Sequence, residues 1–270
     1  MSLSPGDRVA AELGDDGRPT PQVVIEPDAD RLARSVAQAL VARLAAAQAV
    51  HGTASVVLTG GGIGIAVLEH VAGLVTEPVR EVVDWSAVDF WWGDERFVPA
   101  DSDERNERQA RQALLDRLDL PSFRVHAMPA SDAFGTPEEA AEDHLGELRE
   151  YAAEGRDLPR FDVLLLGMGP EGHTASIFPD SPAATDQRPV FAVRDCPKPP
   201  PTRISLGFSA INTAEEIWMI ASGAEKAPAV ARALAGASSQ ELPAAGVHGT
   251  RATRWLLDAA AASRLPRSED

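Results

Sequence analysis

The sequence predicts an α/β fold: a mainly parallel sheet flanked by helices. Two observations carry this expectation. Short apolar runs alternate with stretches of helical period along the chain, the pattern of strand–helix–strand units. Several of those runs also stop at glycine, as strands do when the chain turns at a sheet edge into a crossover. The clearest is FDVLLLG (Phe161 to Gly167), an unbroken apolar run that reads as a buried strand and delivers GMGPEGHTASIFPD, Gly167 to Asp180.

The elements follow in order. VVIEPD (Val23 to Asp28) reads as a strand ending at a helix cap, and Leu32, Val36, Leu40 and Leu44 then mark one face of a helix. Ser55 to Thr59 is a second strand, running into Gly60, Gly61 and Gly62 and a helix from Ile65 to Val75. Val88 to Trp92 is a third, ending in GDERFVP; a helix covers about Arg105 to Leu118. Thr136-Pro137-Glu138-Glu139 is a helix start, with Thr136 as cap, Pro137 in the first turn and Glu139 completing a capping box; that helix runs to about Ala153. Beyond the FDVLLLG strand, Val190 to Arg194, Arg203 to Phe208 and Glu216 to Ala221 read as strands, with a helix from about Glu225 to Leu234. Arg254 to Leu257 is a final strand with a short Ala-rich helix behind it. Pro197 to Pro201 reads as a stiff extended loop. One domain over about residues 21–265 is expected, with a small subdomain from the middle segment as the alternative, and the first twenty residues read as a flexible tail.

Composition narrows the function. The 270 residues suffice for a full core, and the formal charge of −16 argues against nucleic acid or an anionic membrane as partner. No apolar run approaches the ~20 residues that span a bilayer, and the first residues carry no export signal, so a cytoplasmic protein is expected. Cys196 is the only cysteine, which excludes an intrachain disulfide and a cysteine metal cluster. Only two lysines occur, Lys198 and Lys226, so a lysine near the chemistry stands out.

His173 is the first candidate catalytic residue, because it follows a strand at the carboxyl end of the expected sheet, where open α/β sheets bind ligands. The Gly60–Gly62 loop, between strand and helix, suits an anion, with Thr59 adding a hydroxyl; it is neither GxGxxG nor GxxxxGK[ST], and by itself serves equally as a tight turn. In GDERFVP, Asp94 and Glu95 are placed to orient a base or water, and Arg96 to hold a phosphate or carboxylate. Arg203 and Lys226 are further candidate anion-binding cations. His51, His70, His126, His144 and His248 show no metal-ligand spacing and read as structural or surface residues.

TGGG after a strand, GDERFVP with Asn106 shortly after, LLGMGPEGHTASIFP, RISLGFSAIN and GAEK occur in one order, from about Val23 to Leu257. On these motifs the chain resembles the glucosamine-6-phosphate isomerase/6-phosphogluconolactonase family, on the lactonase side. The resemblance implies a modified Rossmann-like sheet of the ribose-5-phosphate isomerase and glucosamine-6-phosphate deaminase kind. It implies hydrolysis of a phosphorylated sugar lactone, 6-phospho-D-glucono-1,5-lactone, without a redox cofactor; no cofactor or metal and a monomer are the separate expectations. It makes His173 the catalytic histidine, with Asp94 beside it, and sets Arg96, Arg203 and Lys226 with Thr59, Gly60, Gly61 and Gly62 around the phosphate. The sequence departs from the family at Gly61-Gly62-Ile63-Gly64, where GGST before Pro is common, at Glu171, where Asp is frequent, and at Arg105-Asn106, where Ser-Asn is usual. A glucosamine-6-phosphate deaminase-like isomerase and a non-catalytic sugar-phosphate sensor are the alternatives. The continuation Ser176-Ile177-Phe178-Pro179 is closer to the lactonase pattern.

Overall fold

The computed structural model describes residue 17, residues 19–75 and residues 82–266. Most of the expected N-terminal tail therefore lies outside the described residues. Nine strands are present among them: β1 (Gln22–Glu26), β2 (Ala54–Leu58), β3 (Val88–Trp92), β4 (Asp94–Arg96), β5 (Val163–Gly167), β6 (Val190–Val193), β7 (Arg203–Leu206), β8 (Glu216–Ala221) and β9 (Ala252–Asp258). Six form one sheet in the order β1-β9-β8-β5-β2-β3, every neighbouring pair parallel. The other three form a small antiparallel sheet, β4-β7-β6.

The large sheet is buried on both faces, so its strands are apolar throughout rather than alternating. Successive residues still point to opposite sides. Val57, Leu164, Leu166, Ile217 and Met219 enter one core, shared with α4 (Pro137–Glu150), α6 (Ala227–Leu234) and the small sheet. Val56, Leu58, Val163, Leu165 and Trp218 enter the other, shared with α1 (Ala29–His51), α2 (Gly61–Val75) and α3 (Asn106–Ala113). The expected face of α1, Leu32, Val36, Leu40 and Leu44, is buried. Asp28 caps that helix by accepting the Arg31 N–H, and Gly52, at φ 77°, ends it. The Thr136/Glu139 capping box is formed as the sequence implied.

The differences from expectation have local causes. DER is a strand rather than a loop. Gly93 donates its N–H to Leu58 O in the large sheet and accepts the Leu206 N–H of the small one, so the chain steps from sheet to sheet at that residue. The helix expected over Arg105–Leu118 stops at Ala113, where Leu114 leaves helical geometry (φ −142°, ψ −56°), and a single 3₁₀ turn follows at Leu115–Arg117. α2 begins at Gly61, earlier than the apolar pattern alone suggested, so Gly61 and Gly62 lie in the first turn of the helix and Gly60 just before it. The Ala-rich stretch behind β9 forms turns, not a helix. The loop at Pro197–Pro201 folds back on itself, with Cys196 N–H donating to Pro201 O at 2.9 Å. A short helix, α5 (Phe208–Ile211), follows β7.

Candidate active site

The chain leaves β2 toward β3 and leaves β5 the opposite way, toward β8, so a crevice opens at the carboxyl ends of β2 and β5. Thr59 spans it: its Oγ1 accepts the Gly167 N–H at 3.2 Å. Four segments meet here, those following β2, β5 and β8 and the small sheet that continues from β3.

After β5 the chain makes a tight turn. Gly172 N–H donates to Gly169 O and Gly169 N–H to His173 O, which brings Glu171 and His173 to one side. Glu171 Oε1 lies 2.9 Å from His173 Nδ1. Phe178 stacks on the imidazole with ring centroids 4.4 Å apart. Gly169 is required by close approach: a Cβ there would stand 2.0 Å from His173 Nδ1. The N–H groups of Gly169 and Gly172 are committed within the turn. His173 is partly exposed, with 18% of its side chain accessible. Burial, followed by the charge of Lys198, holds its pKa below the ordinary histidine value, against the pull of Glu171 and Asp94.

The small sheet supplies the charged groups. Asp94 is buried; its Oδ2 accepts the Ser176 Oγ–H at 2.6 Å and lies 3.6 Å from an Arg203 guanidinium nitrogen. Arg203 itself is buried, its Nε donating to Pro200 O and its Nη2 to the carbonyls of Lys198 and Pro199. Arg96 is half-buried and pairs in register with Arg203 across β4 and β7; one guanidinium nitrogen donates to Glu104 O. Lys226, after β8, donates to Met168 O at 2.7 Å and is partly desolvated, which lowers its pKa. Asn106 links α3 to β4 by donating to Asp94 O at 2.8 Å, and it presses on the glycine loop: a Cβ on Gly60 would lie 2.0 Å from its Oδ1.

Glu95 is not placed to orient a base. It is fully buried and accepts the N–H groups of Arg96, Asn106 and Glu107, which makes it the anchor for the start of α3. Lys198, which sequence reasoning passed over, stands at the site: Nζ is 2.9 Å from Glu171 Oε1 and 3.4 Å from His173 Nδ1. The scarcity of lysine in this chain was the one available signal, and it did not by itself place Lys198 beside His173. The structure thus brings His173, Asp94, Thr59, Arg203 and Lys226 into one connected network, with Arg96 beside Arg203 and Gly60–Gly62 across the crevice.

Among the described residues no helix is long and apolar enough to cross a membrane. A 6-phosphogluconolactonase of Streptomyces coelicolor is 49% identical over 254 residues, covering 92% of this chain and 96% of that protein. A 6-phosphogluconolactonase of Mycobacterium tuberculosis is 48% identical over 247 residues, covering 90% and 98% respectively. Among solved structures, 6-phosphogluconolactonase from Trypanosoma brucei superposes with a TM-score of 0.76 at 28% identity, covering 91% of this chain and 99% of that one. A monomeric glucosamine-6-phosphate deaminase, 18% identical with a TM-score of 0.74, shares the fold. The family model described as glucosamine-6-phosphate isomerases/6-phosphogluconolactonase matches residues 27–255, nearly the whole described fold, and the chain belongs to that family.

Proposed function

We propose that His173 is the general base with which this chain hydrolyses 6-phospho-D-glucono-1,5-lactone to 6-phospho-D-gluconate in the oxidative pentose phosphate pathway. One observation carries the assignment. Glu171 engages Nδ1, while Nε2 has no hydrogen-bond partner among the described residues, so the ring is oriented at one nitrogen and available at the other.

The chemistry needs little else. Nε2 takes a proton from water as the water oxygen bonds to C1, leaving a tetrahedral oxyanion and an imidazolium. The C1–ring oxygen bond then breaks, and the imidazolium returns its proton to the departing oxygen. Asp94 sets the field that steadies the imidazolium. Arg96 and Lys226, with Thr59 and the N–H groups of Gly60, Gly61 and Gly62 at the start of α2, hold the phosphate and so place C1 beside the water. Arg203 contributes mainly by fixing Asp94 and the proline loop, since its Nε and Nη2 already have carbonyl partners. The same reading takes residues 21–265 as one catalytic domain, acting as a cytoplasmic monomer; the −16 charge disfavours nucleic acid.

The test is a stopped assay of lactone opening, with spontaneous hydrolysis subtracted, on wild type and His173→Ala. General-base loss is expected to lower the rate about 10²–10⁴-fold with the fold intact. Full activity in the variant overturns the assignment. Ammonia release from glucosamine 6-phosphate would instead move the chain to the deaminase side of the family.

A further inference from the structure

Lys198 lies in the proline loop between β6 and β7, distant in sequence from the β5 turn that carries His173. Its backbone is pinned, because Arg203 Nη2 donates to Lys198 O at 3.1 Å and Arg203 Nε to Pro200 O. Its Nζ rests against both carboxylate oxygens of Glu171, 2.9 Å from Oε1 and 3.2 Å from Oε2. Oε1 is the same oxygen that engages His173 Nδ1 at 2.9 Å.

That geometry resolves a conflict in the base. A carboxylate in contact with an imidazole fixes its orientation, but it also favours the protonated ring, and an imidazolium cannot accept a proton from water. We propose that Lys198 is a positioning residue for lactone opening: docked on Glu171, its ammonium cancels the carboxylate's hold on the proton, so that His173 stays both oriented and neutral. The proposal rests on His173 being the general base.

The charges facing the ring from each packed element agree with this. Glu171 comes from the same turn, Lys198 from the β6–β7 loop and Asp94 from β4; Arg203 stands 3.6 Å from Asp94, and Lys226 closes the turn at Met168 O. Phe178 covers a ring face without adding charge. Each carboxylate near His173 is therefore matched by a cation. Burial and Lys198 are the two leading causes of the ring's lowered pKa. The Lys198 side chain is 43% exposed, so its influence is partly screened by salt.

The experiment titrates the ring nitrogens of His173 by NMR in the full chain, assigning the resonance by its loss in His173→Gln. Wild type, Lys198→Met and Lys198→Arg are compared, with Lys198→Gln as a second neutral variant should methionine disturb the loop. The pH profile of kcat/KM for the lactone is measured on the same samples. Loss of the cation is expected to raise the His173 midpoint and to move the acid limb of kcat/KM up with it. Activity then falls most at low pH and recovers on the alkaline plateau, and Lys198→Arg restores both readouts. An unmoved or lowered midpoint in the neutral variants, or no restoration by arginine, overturns the proposal. Failure of the base assignment reads differently: His173→Ala then keeps its activity, while the NMR midpoint still reports what Lys198 does to the ring.

Discussion

Ser176 and Asp94 form a buried hydroxyl–carboxylate pair, 2.6 Å from Oγ to Oδ2, that ties the β5 turn to the first strand of the small sheet. Ser176→Ala removes the hydroxyl partner of that carboxylate and leaves it to Arg203. Loss of one partner from a buried polar pair costs about 1–3 kcal/mol. The expected result is a stability loss of that order in a urea melt, with a fall in kcat and little change in KM. An unaltered melt would mean that Arg203 alone satisfies Asp94.

Gly60 and Gly62 are predicted to respond differently to alanine. A Cβ on Gly60 meets Asn106 Oδ1 at 2.0 Å and Cγ at 2.6 Å, so Asn106 must move, and with it the bond to Asp94 O. A Cβ on Gly62 meets nothing within 4 Å. Gly60→Ala is expected to lower both stability and kcat/KM, whereas Gly62→Ala keeps its melting temperature and reveals in KM whether a phosphate sits on that turn. Equal thermal shifts in the two variants would contradict this.

The acid limb of wild-type kcat/KM is expected below the ordinary histidine value of 6.5, because burial and Lys198 depress the His173 pKa. The sign for stability runs the other way. An unfolded chain takes up this proton at a higher pH than the folded one, so His173 weakens the fold as pH falls below 6.5. His173→Gln should therefore narrow the loss of stability on mild acidification, which thermal scans at stepped pH would detect.

A second histidine behaves oppositely. His126 is buried, stacked on Trp91 at 3.8 Å, and set between Glu147 Oε1 at 2.8 Å and Asp89 Oδ1 at 3.2 Å. Burial alone would lower its pKa, but the two carboxylates outweigh burial and raise it above 6.5. Burial likewise opposes ionisation of Glu147, yet contacts with His126 and His144 bring its pKa down from 4.5 to about 2. The histidine's contribution is complete below pH 6.5 and is lost as pH rises through its folded value; the carboxylate's is complete above 4.5 and is lost as pH falls toward 2. His126→Asn is expected to cost most melting temperature between pH 4.5 and 6.5, with the gap closing on the alkaline side. A gap independent of pH would show that the ring contributes by packing alone.

Much of this architecture was legible in the chain, and the exceptions are instructive. Apolar runs such as FDVLLLG announce strands buried on both faces, and the Thr136–Glu139 box announces its helix, because both signals are local. β4 was not legible: three charged residues carry no strand pattern, and only pairing with β7 and the two bonds at Gly93 make them one. Glu95 looked like a candidate for chemistry because its role as an anchor depends on α3 returning to meet it. Lys198 was hidden for the same reason. Its value lies in a contact with Glu171 that exists only once the proline loop has closed.

β1 lies at the edge of the large sheet, and its one strand partner among the described residues is β9, Gln22 aligning with Arg254. The pair joins the first and last strands of the described fold, so this edge of the sheet rests on the most non-local pairing in it. Closing so long a loop costs entropy before any ladder bond rewards it, which makes this margin a late and slow contact in folding.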